Sequence, residues 1–326
     1  MRFFLKILLA IIALYLAATI IFVSSLSWQG PLSEESNVFI AKGMGSKEIG
    51  ETLENTGVIK YAATFRPAVL FLGGHGKLKA GEYKFPAGIS LKEIVNKMVK
   101  GDVVIHSVTV PEGLTVHEIL AIIKSEPSLS GEITIKPKEG ELLPETYHFY
   151  YGYTRDEMVK RMMEDRTKVM NELWPKRSAA LLLKSPDEAI ILASIVEKET
   201  RIKEERPRVA GVYLNRVKKN MLLQADPTVI YAITKGEREM GRLLTFNDLK
   251  FDSPYNTYVY GGLPPGPIGN PGKASIEAAL NPEITEDLYF VADGAGGHLF
   301  AKTLNEHNAN VAKYRRISKE KQASAN

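Results

Sequence analysis

The apolar and polar positions of this chain fall into segments of different period. The first is a charge-free apolar run over residues 7–23, 17 residues long, and with Phe3, Phe4 and Leu5 it is just long enough to cross a bilayer as a helix. Residues 28–37 are polar and read as a linker. Val38-Phe39-Ile40 then predicts a strand. Residues 46–56, SKEIGETLENT, set Ile49 and Leu53 one turn apart behind a Ser46 cap and stop at Gly57, the pattern of a short amphipathic helix. Residues 62–72 predict a second helix, and Gly81–Phe85 a second strand before the turn Pro86-Ala87-Gly88. The order is strand, helix, helix, strand.

Further along, residues 90–100, 115–124 and 155–173 carry helical spacing, 103–110 alternate as a strand, and Pro111-Glu112-Gly113 marks the entry to a larger domain. Residues 288–292 predict a core strand, 294–297 a tight turn and His298-Leu299-Phe300 the returning strand. Residues 315–326 read as a frayed polar tail. The segment 185–200, SPDEAIILASIVEKET, is the most informative. Ser185 is placed to cap, Pro186 suits the first helical position, and Glu188 stands where a capping box needs it. Ala189 to Val196 leave almost no polar face, which predicts a helix packed inside a domain.

That helix carries two acids near its end. Glu197 follows Ile190, Ala193 and Ser194 on one side, while Glu199 points roughly 200° away, beside Leu192, Ile195 and Val196. A carboxyl group at the edge of an apolar wall loses hydration of its charged form and holds its proton nearer neutral pH, which suits a general acid. The competing reading makes both acids the solvated end of the helix, with Lys198, Arg201 and Lys203 as surface ion partners. Three later segments are also candidates for a site. In QADPTVIYA, Gln224, Asp226 and Thr228 surround Pro227 on a turn before a helix. In the Pro- and Gly-rich stretch 255–272, Asn256 and Tyr258 have the groups to bind sugar hydroxyl or acetamido groups. The aromatic segment 141–152 offers Tyr147 for stacking on a sugar face or for core filling.

Composition narrows the chemistry. With 326 residues, 44% hydrophobic and 25% charged, the chain can bury a real core and divides into two soluble parts beyond the apolar run. A net charge of +4 without a basic run interleaved with aromatics gives no sign of nucleic acid. There is no cysteine, which excludes disulfides, thiolate metal sites, a cysteine nucleophile and a lipoprotein anchor. The six histidines form no close ligand pair, so neither a metal nor another cofactor is expected. Arg2 and Lys6 before the apolar run place the N-terminus in the cytoplasm and the remainder outside, on a single-pass inner-membrane anchor; a cleaved signal peptide is the alternative.

The strand-helix-helix-strand order and the phrase IAKGMGSKEIGETLENTGVI resemble a LysM-like glycan-binding module. LASIVEKET, QADPTVIYA, YNTYVYGGLPPGPIGNPG and LYFVADGAGGHLFAKTLNEHN, in that order, resemble the MltG/YceG-like family of endolytic murein transglycosylases. The resemblance implies an α+β protein: residues 1–27 with the anchor, a linker at 28–37, a LysM-like module at 38–105 and a catalytic domain at 106–326. It also implies that Glu197 is the single catalytic acid, that a glycan cleft lies near Gln224 and Asn256, and that nascent peptidoglycan strands are cut to 1,6-anhydro-muramyl ends. Cell-wall synthesis enzymes are the partners such an anchor would favour. In this chemistry one acid protonates the glycosidic oxygen and then takes the proton of the sugar's own C6 hydroxyl. Ordinary glycosidases need a second carboxylate roughly 5 to 9.5 Å away. Asp226 is the rival for that role, or else a cap for the helix that follows. A peptidoglycan-binding scaffold without activity and a conventional muramidase remain the alternatives.

Overall fold

The computed structural model describes residues 2–324 and is a mixed α/β protein with two compact units. One unit comprises residues 1–107 and 148–152, the other residues 108–147 and 153–326. The return of 148–152 to the first unit differs from a division at residue 105, because a boundary drawn along the sequence has no means of seeing a strand that comes back.

The first unit begins with α1 (Arg2–Ser25), whose segment Phe3–Ser25 is the one helix among the described residues long and apolar enough to cross a membrane. Then follow β1 (Ser36–Ile40), α2 (Ser46–Asn55), α3 (Phe65–Phe71), β2 (Gly81–Phe85) and α4 (Leu91–Lys100). β1 and β2 pair antiparallel with Val38 opposite Tyr83 and Ser36 opposite Phe85, and the pleat turns Val38, Ile40, Tyr83 and Phe85 together into the core. Leu53, Phe65, Ile94 and Met98 close that core from the helices. α2 is capped one residue earlier than its sequence indicates: the Glu48 carboxylate accepts the Gly45 N–H at 2.8 Å, so the acid at N3 and not the Ser46 hydroxyl decides where the helix starts. Residues 28–37 are not a free linker either. Gly30 N–H donates to the Gly88 carbonyl, Gly88 N–H to the Leu32 carbonyl, and Leu32 packs on the core.

The chain passes between the units along β3 (Ile105–Thr109) and β4 (Thr146–Tyr150). The second unit holds α5 (Val116–Ser125), α6 (Arg155–Leu173), α7 (Pro186–Glu199), α8 (Arg206–Lys218), α9 (Asp226–Thr234), α10 (Lys273–Leu280), the hairpin β5 (Tyr289–Ala292) and β6 (His298–Ala301), and α11 (Leu304–Ser324). α7 is the central helix, with Ala189 to Val196 buried against α8 and α10. Its start matches the sequence in the Ser185 cap, which accepts the Glu188 N–H at 3.2 Å, but Glu188 reaches back to the Lys184 N–H at 2.6 Å and not to Ser185. β5 and β6 pair with Phe290 opposite Phe300 and Ala292 opposite His298. The expected frayed tail is instead helical as far as Ser324, held by the Lys321 ammonium on the Gly294 carbonyl and by Ile317 beside Gly294; residues 325–326 lie outside the described ones.

The glycine- and proline-rich stretch after Tyr255 has little regular structure, yet it is not loose. Ile268 is buried and its N–H donates to Ser194 Oγ on α7 at 3.1 Å. Asn270, fully buried, accepts the Gly140 and Leu142 N–H groups and donates to the Leu114 carbonyl, each at 3.0 Å. One amide side chain thus satisfies backbone groups that no helix or ladder reaches.

Candidate active site

The two acids of α7 occupy different settings. Glu197 Oε1 receives Arg206 Nη2 at 2.7 Å and Oε2 receives the Gly272 N–H at 2.9 Å. The same Nη2 donates to Glu112 at 3.2 Å. The side chains of Glu197 and Arg206 are 5% and 4% exposed, and the pair reaches solvent through Glu112, whose side chain is 37% exposed. Burial pushes the Glu197 carboxyl up and the Glu112 charge adds to it, while the Gly272 N–H, Arg206 and Ser275 pull it back. The packing around it is close. A side chain at Gly272 would collide with Glu112, and one at Gly113 would press on Glu197. Glu197 therefore ties the end of α7 to the start of α8 and to the backbone entering α10. Both of its oxygens are in use.

Glu199 lines a polar cavity of about 180 Å³ with Tyr213, Arg216, Leu223, Gln224, Asp226, Tyr258 and Phe290. Tyr213 O–H donates to Glu199 Oε1 at 2.8 Å. Burial pushes the Glu199 carboxyl up to about 7, with the Asp226 charge in the same direction; the Tyr213 bond, His298 and Arg216 oppose it. The Tyr213 hydroxyl is itself held well above its ordinary range, first by burial and then by the Glu199 charge, so it stays a donor at any physiological pH. One carboxyl oxygen, Oε1, is thereby occupied. A group poised near neutral pH at the wall of a cavity has the attributes of a general acid.

The remaining expected site residues divide into two sets. Gln224, Asp226 and Tyr258 do line this cavity. Gln224 sits in the left-handed region at φ 51°, with its N–H donating to the Thr257 carbonyl. Asp226 accepts Tyr258 O–H at 2.6 Å and opens α9 as its first residue; Ala225 stands at the cap and no side chain caps it, which removes the capping reading of Asp226. Thr228, Asn256 and Tyr147, expected to bind substrate, do not line this cavity and are buried in the packing. Thr228 is fully buried, bonded to the Ala225 carbonyl and Thr257 Oγ1. Asn256 is 0% exposed, its amide donates to the Leu249 and Phe251 carbonyls, and its oxygen accepts the Tyr258 N–H. Tyr147 is buried with its hydroxyl on the Leu143 carbonyl. All three have spent their hydrogen-bonding groups on the fold.

Sequence reasoning missed Tyr213, Arg216, Leu223 and Phe290. Arg216 donates to the Leu222, Leu223 and Leu288 carbonyls, bracing the cavity wall. Phe290 comes from the hairpin, whose far end is fixed by Glu205 accepting both the His298 N–H at 2.9 Å and Nδ1 at 2.7 Å. The acid-to-tyrosine spacing of 14 residues crosses a helix-to-helix turn that no periodicity encodes.

The YceG-like family profile matches residues 38–313, which include every residue of this cavity and of the Glu197 clamp. The chain belongs to the YceG-like family. A relative named endolytic murein transglycosylase from Bacillus subtilis (strain 168) is 34% identical over 309 residues, covering 85% of this chain and 84% of that protein. A protein of the same name from Streptococcus pneumoniae serotype 2 (strain D39) is 28% identical and matches 85% of this chain; the match spans 58% of that longer protein. Among solved structures, a YceG-like protein of Listeria monocytogenes superposes with a TM-score of 0.51 at 33% identity, over 85% of this chain and 99% of that one.

Proposed function

We propose that this protein is an endolytic murein transglycosylase that cuts peptidoglycan strands at the Glu199 cavity, with Glu199 rather than Glu197 as the catalytic acid. The observation that carries this is a carboxyl raised to about 7 and oriented by Tyr213 within a polar cavity, in a chain of this family. Protonated Glu199 gives its proton to the glycosidic oxygen of the bond to be cut. As carboxylate it then takes the proton from the C6 hydroxyl of the muramyl sugar, whose oxygen closes on the anomeric carbon and leaves a 1,6-anhydro end. Gln224, Asp226 and Tyr258 are the groups available to hold the sugar. Glu197, clamped by Arg206 and Gly272, positions the end of α7.

α1 serves as a single-pass anchor, with both units on the extracytoplasmic side as Arg2 and Lys6 favour. The order β1-α2-α3-β2, with its antiparallel pair, supports reading that part of the first unit as LysM-like. A second reading, hydrolysis, has one specific support: Asp226 is a second carboxylate in the same cavity. Digestion of purified peptidoglycan in ¹⁸O water separates the two. Transglycosylation leaves new ends unlabelled and each product lighter by one water than its hydrolytic counterpart. Label in the new reducing ends from the start of the reaction would make Asp226 the base of a hydrolase.

A further inference from the structure

The end of α1 is built into the first unit. Leu26, one residue past the helix, is 2% exposed among Val58, Ile89 and the rest of that core, and its carbonyl accepts the Lys92 N–H at 2.9 Å. Phe22, on the last turn, packs on the same core and meets Phe71 of α3 edge-on, ring centroids 6.4 Å apart. With Gly30 bonded to Gly88 as well, no hinge separates the helix from the unit. Around this joint three large aromatic side chains are exposed. Trp28 is 62% exposed, Tyr61 56% and Phe71 55%. Trp28 and Tyr61 line, with Phe22, a groove of about 370 Å³. Lys60 also lines it, with its ammonium 5.3 Å from the centre of the Tyr61 ring, and Arg66 lines the neighbouring hollow beyond Tyr61. Neither cation forms an ion pair among the described residues.

The length of α1 sets the depth of these groups. Its 23-residue span Phe3–Ser25 rises roughly 35 Å at about 1.5 Å per residue, slightly more than the ~30 Å hydrocarbon core. Ser25 then stands at the edge of the hydrocarbon, and Trp28, Tyr61 and Phe71 fall in the headgroup layer, where amphipathic rings are favoured. We propose that the first unit is seated on the bilayer: the aromatic collar of Trp28, Tyr61 and Phe71 rests in the headgroup region of the leaflet that α1 leaves, with Lys60 and Arg66 on lipid phosphates. The unit's height and tilt at the membrane are thereby fixed instead of left to a tether. The occupant is lipid because these rings lie beside Phe22, where the helix leaves the hydrocarbon, and because Lys60 and Arg66, neither in an ion pair among the described residues, stand next to them. This rests on reading α1 as a membrane span.

The test uses the full chain with Trp174→Phe, which leaves Trp28 as the single tryptophan, reconstituted in vesicles of phosphatidylcholine and phosphatidylglycerol brominated either near the headgroup or deep in the acyl chains. Trp28 emission is expected to be blue-shifted and quenched several-fold more by the shallow bromines than by the deep ones. A Lys60→Glu, Arg66→Glu chain should still float with the vesicles, with the shallow quenching of Trp28 weakened about twofold and not abolished, because the rigid joint keeps that ring near the headgroups. A chain that floats while Trp28 remains unquenched would overturn the seating and leave the anchor standing. A chain that does not float would overturn the anchor, and the seating with it.

Discussion

Arg206 Nη2 lies 2.7 Å from Glu197 Oε1, and this buried ion pair gives different surroundings to two acids that stand two residues apart on one helix. The acid held by Arg206 closes the packing of α7, α8 and the Gly272 backbone. Among the described residues its neighbour Glu199 has only a tyrosine hydroxyl as a hydrogen-bond partner, and it lines the cavity.

The two glutamates should therefore respond differently to loss of charge. Glu199→Gln keeps the shape and removes the proton, and is expected to lower the rate by about 10² to 10⁴ without lowering the urea midpoint. Glu197→Gln leaves the buried Arg206 with Glu112 as its one remaining carboxylate partner among the described residues and should cost about 3 kcal/mol of stability, while the protein that stays folded keeps its turnover. Both numbers come from glycan-cleavage rates and urea melts on the same preparations. The opposite pattern, with Glu197→Gln dead at full stability and Glu199→Gln active, would return the acid to Glu197.

The raised Glu199 carboxyl also sets a pH profile. As the general acid it must be protonated, so kcat/KM should fall as pH rises through about 7. Tyr213→Phe removes a bond that favours the carboxylate, so the limb should move to higher pH as the rate drops. An unmoved limb would mean that another group sets it.

Stability should follow the same group with the sign of a raised acid. The folded chain binds the Glu199 proton more tightly than the unfolded chain, whose carboxyl titrates near 4.5. The stabilisation is complete below that pH and is lost as pH rises through about 7. Glu139, pushed up to about 7 chiefly by burial, adds to the same trend. Melting temperature should decline over this interval, and Glu199→Gln or Glu139→Gln should each flatten the decline.

Asn256 and Tyr258, adjacent in the sequence pattern, should separate in their effects. Asn256→Ala leaves the Leu249 and Phe251 carbonyls without their donor and should cost about 1–3 kcal/mol, with KM for glycan unchanged in the folded fraction. Tyr258→Phe frees Asp226 from its hydroxyl partner and should alter glycan cleavage more than the melting temperature. A KM effect at Asn256 without a stability loss would put that side chain back in the cleft.

The anchor joint gives a prediction of its own. A chain starting at Trp28 should be soluble but lack Leu26, whose place in the core leaves a cavity worth roughly 2–5 kcal/mol. One starting at Phe22 restores the packing and should melt higher. Equal melting temperatures would show that Leu26 contributes nothing to the first unit.

Much of this architecture follows from local order in the sequence. The apolar run of α1, the inward face of β1 and β2, the buried α7 with its Ser185 cap, and the hairpin around residues 294–297 are each set by periodicity and capping within one segment, which is where sequence carries its clearest signal. That Glu197 and Glu199 see different surroundings also follows from helical pitch alone. Which of them meets a cavity does not, because the answer depends on Arg206, nine residues on, and Tyr213, fourteen residues on, and both stand on a second helix whose direction only packing decides. The same holds for polar side chains in loops. Asn256 and Asn270 look as available in sequence as Gln224, yet buried backbone groups must be satisfied, and the fold used those two amides to do it. Leu26 shows the converse: a residue that reads as the end of an anchor became core, because the helix it follows has one unit to pack against as soon as it leaves the apolar run.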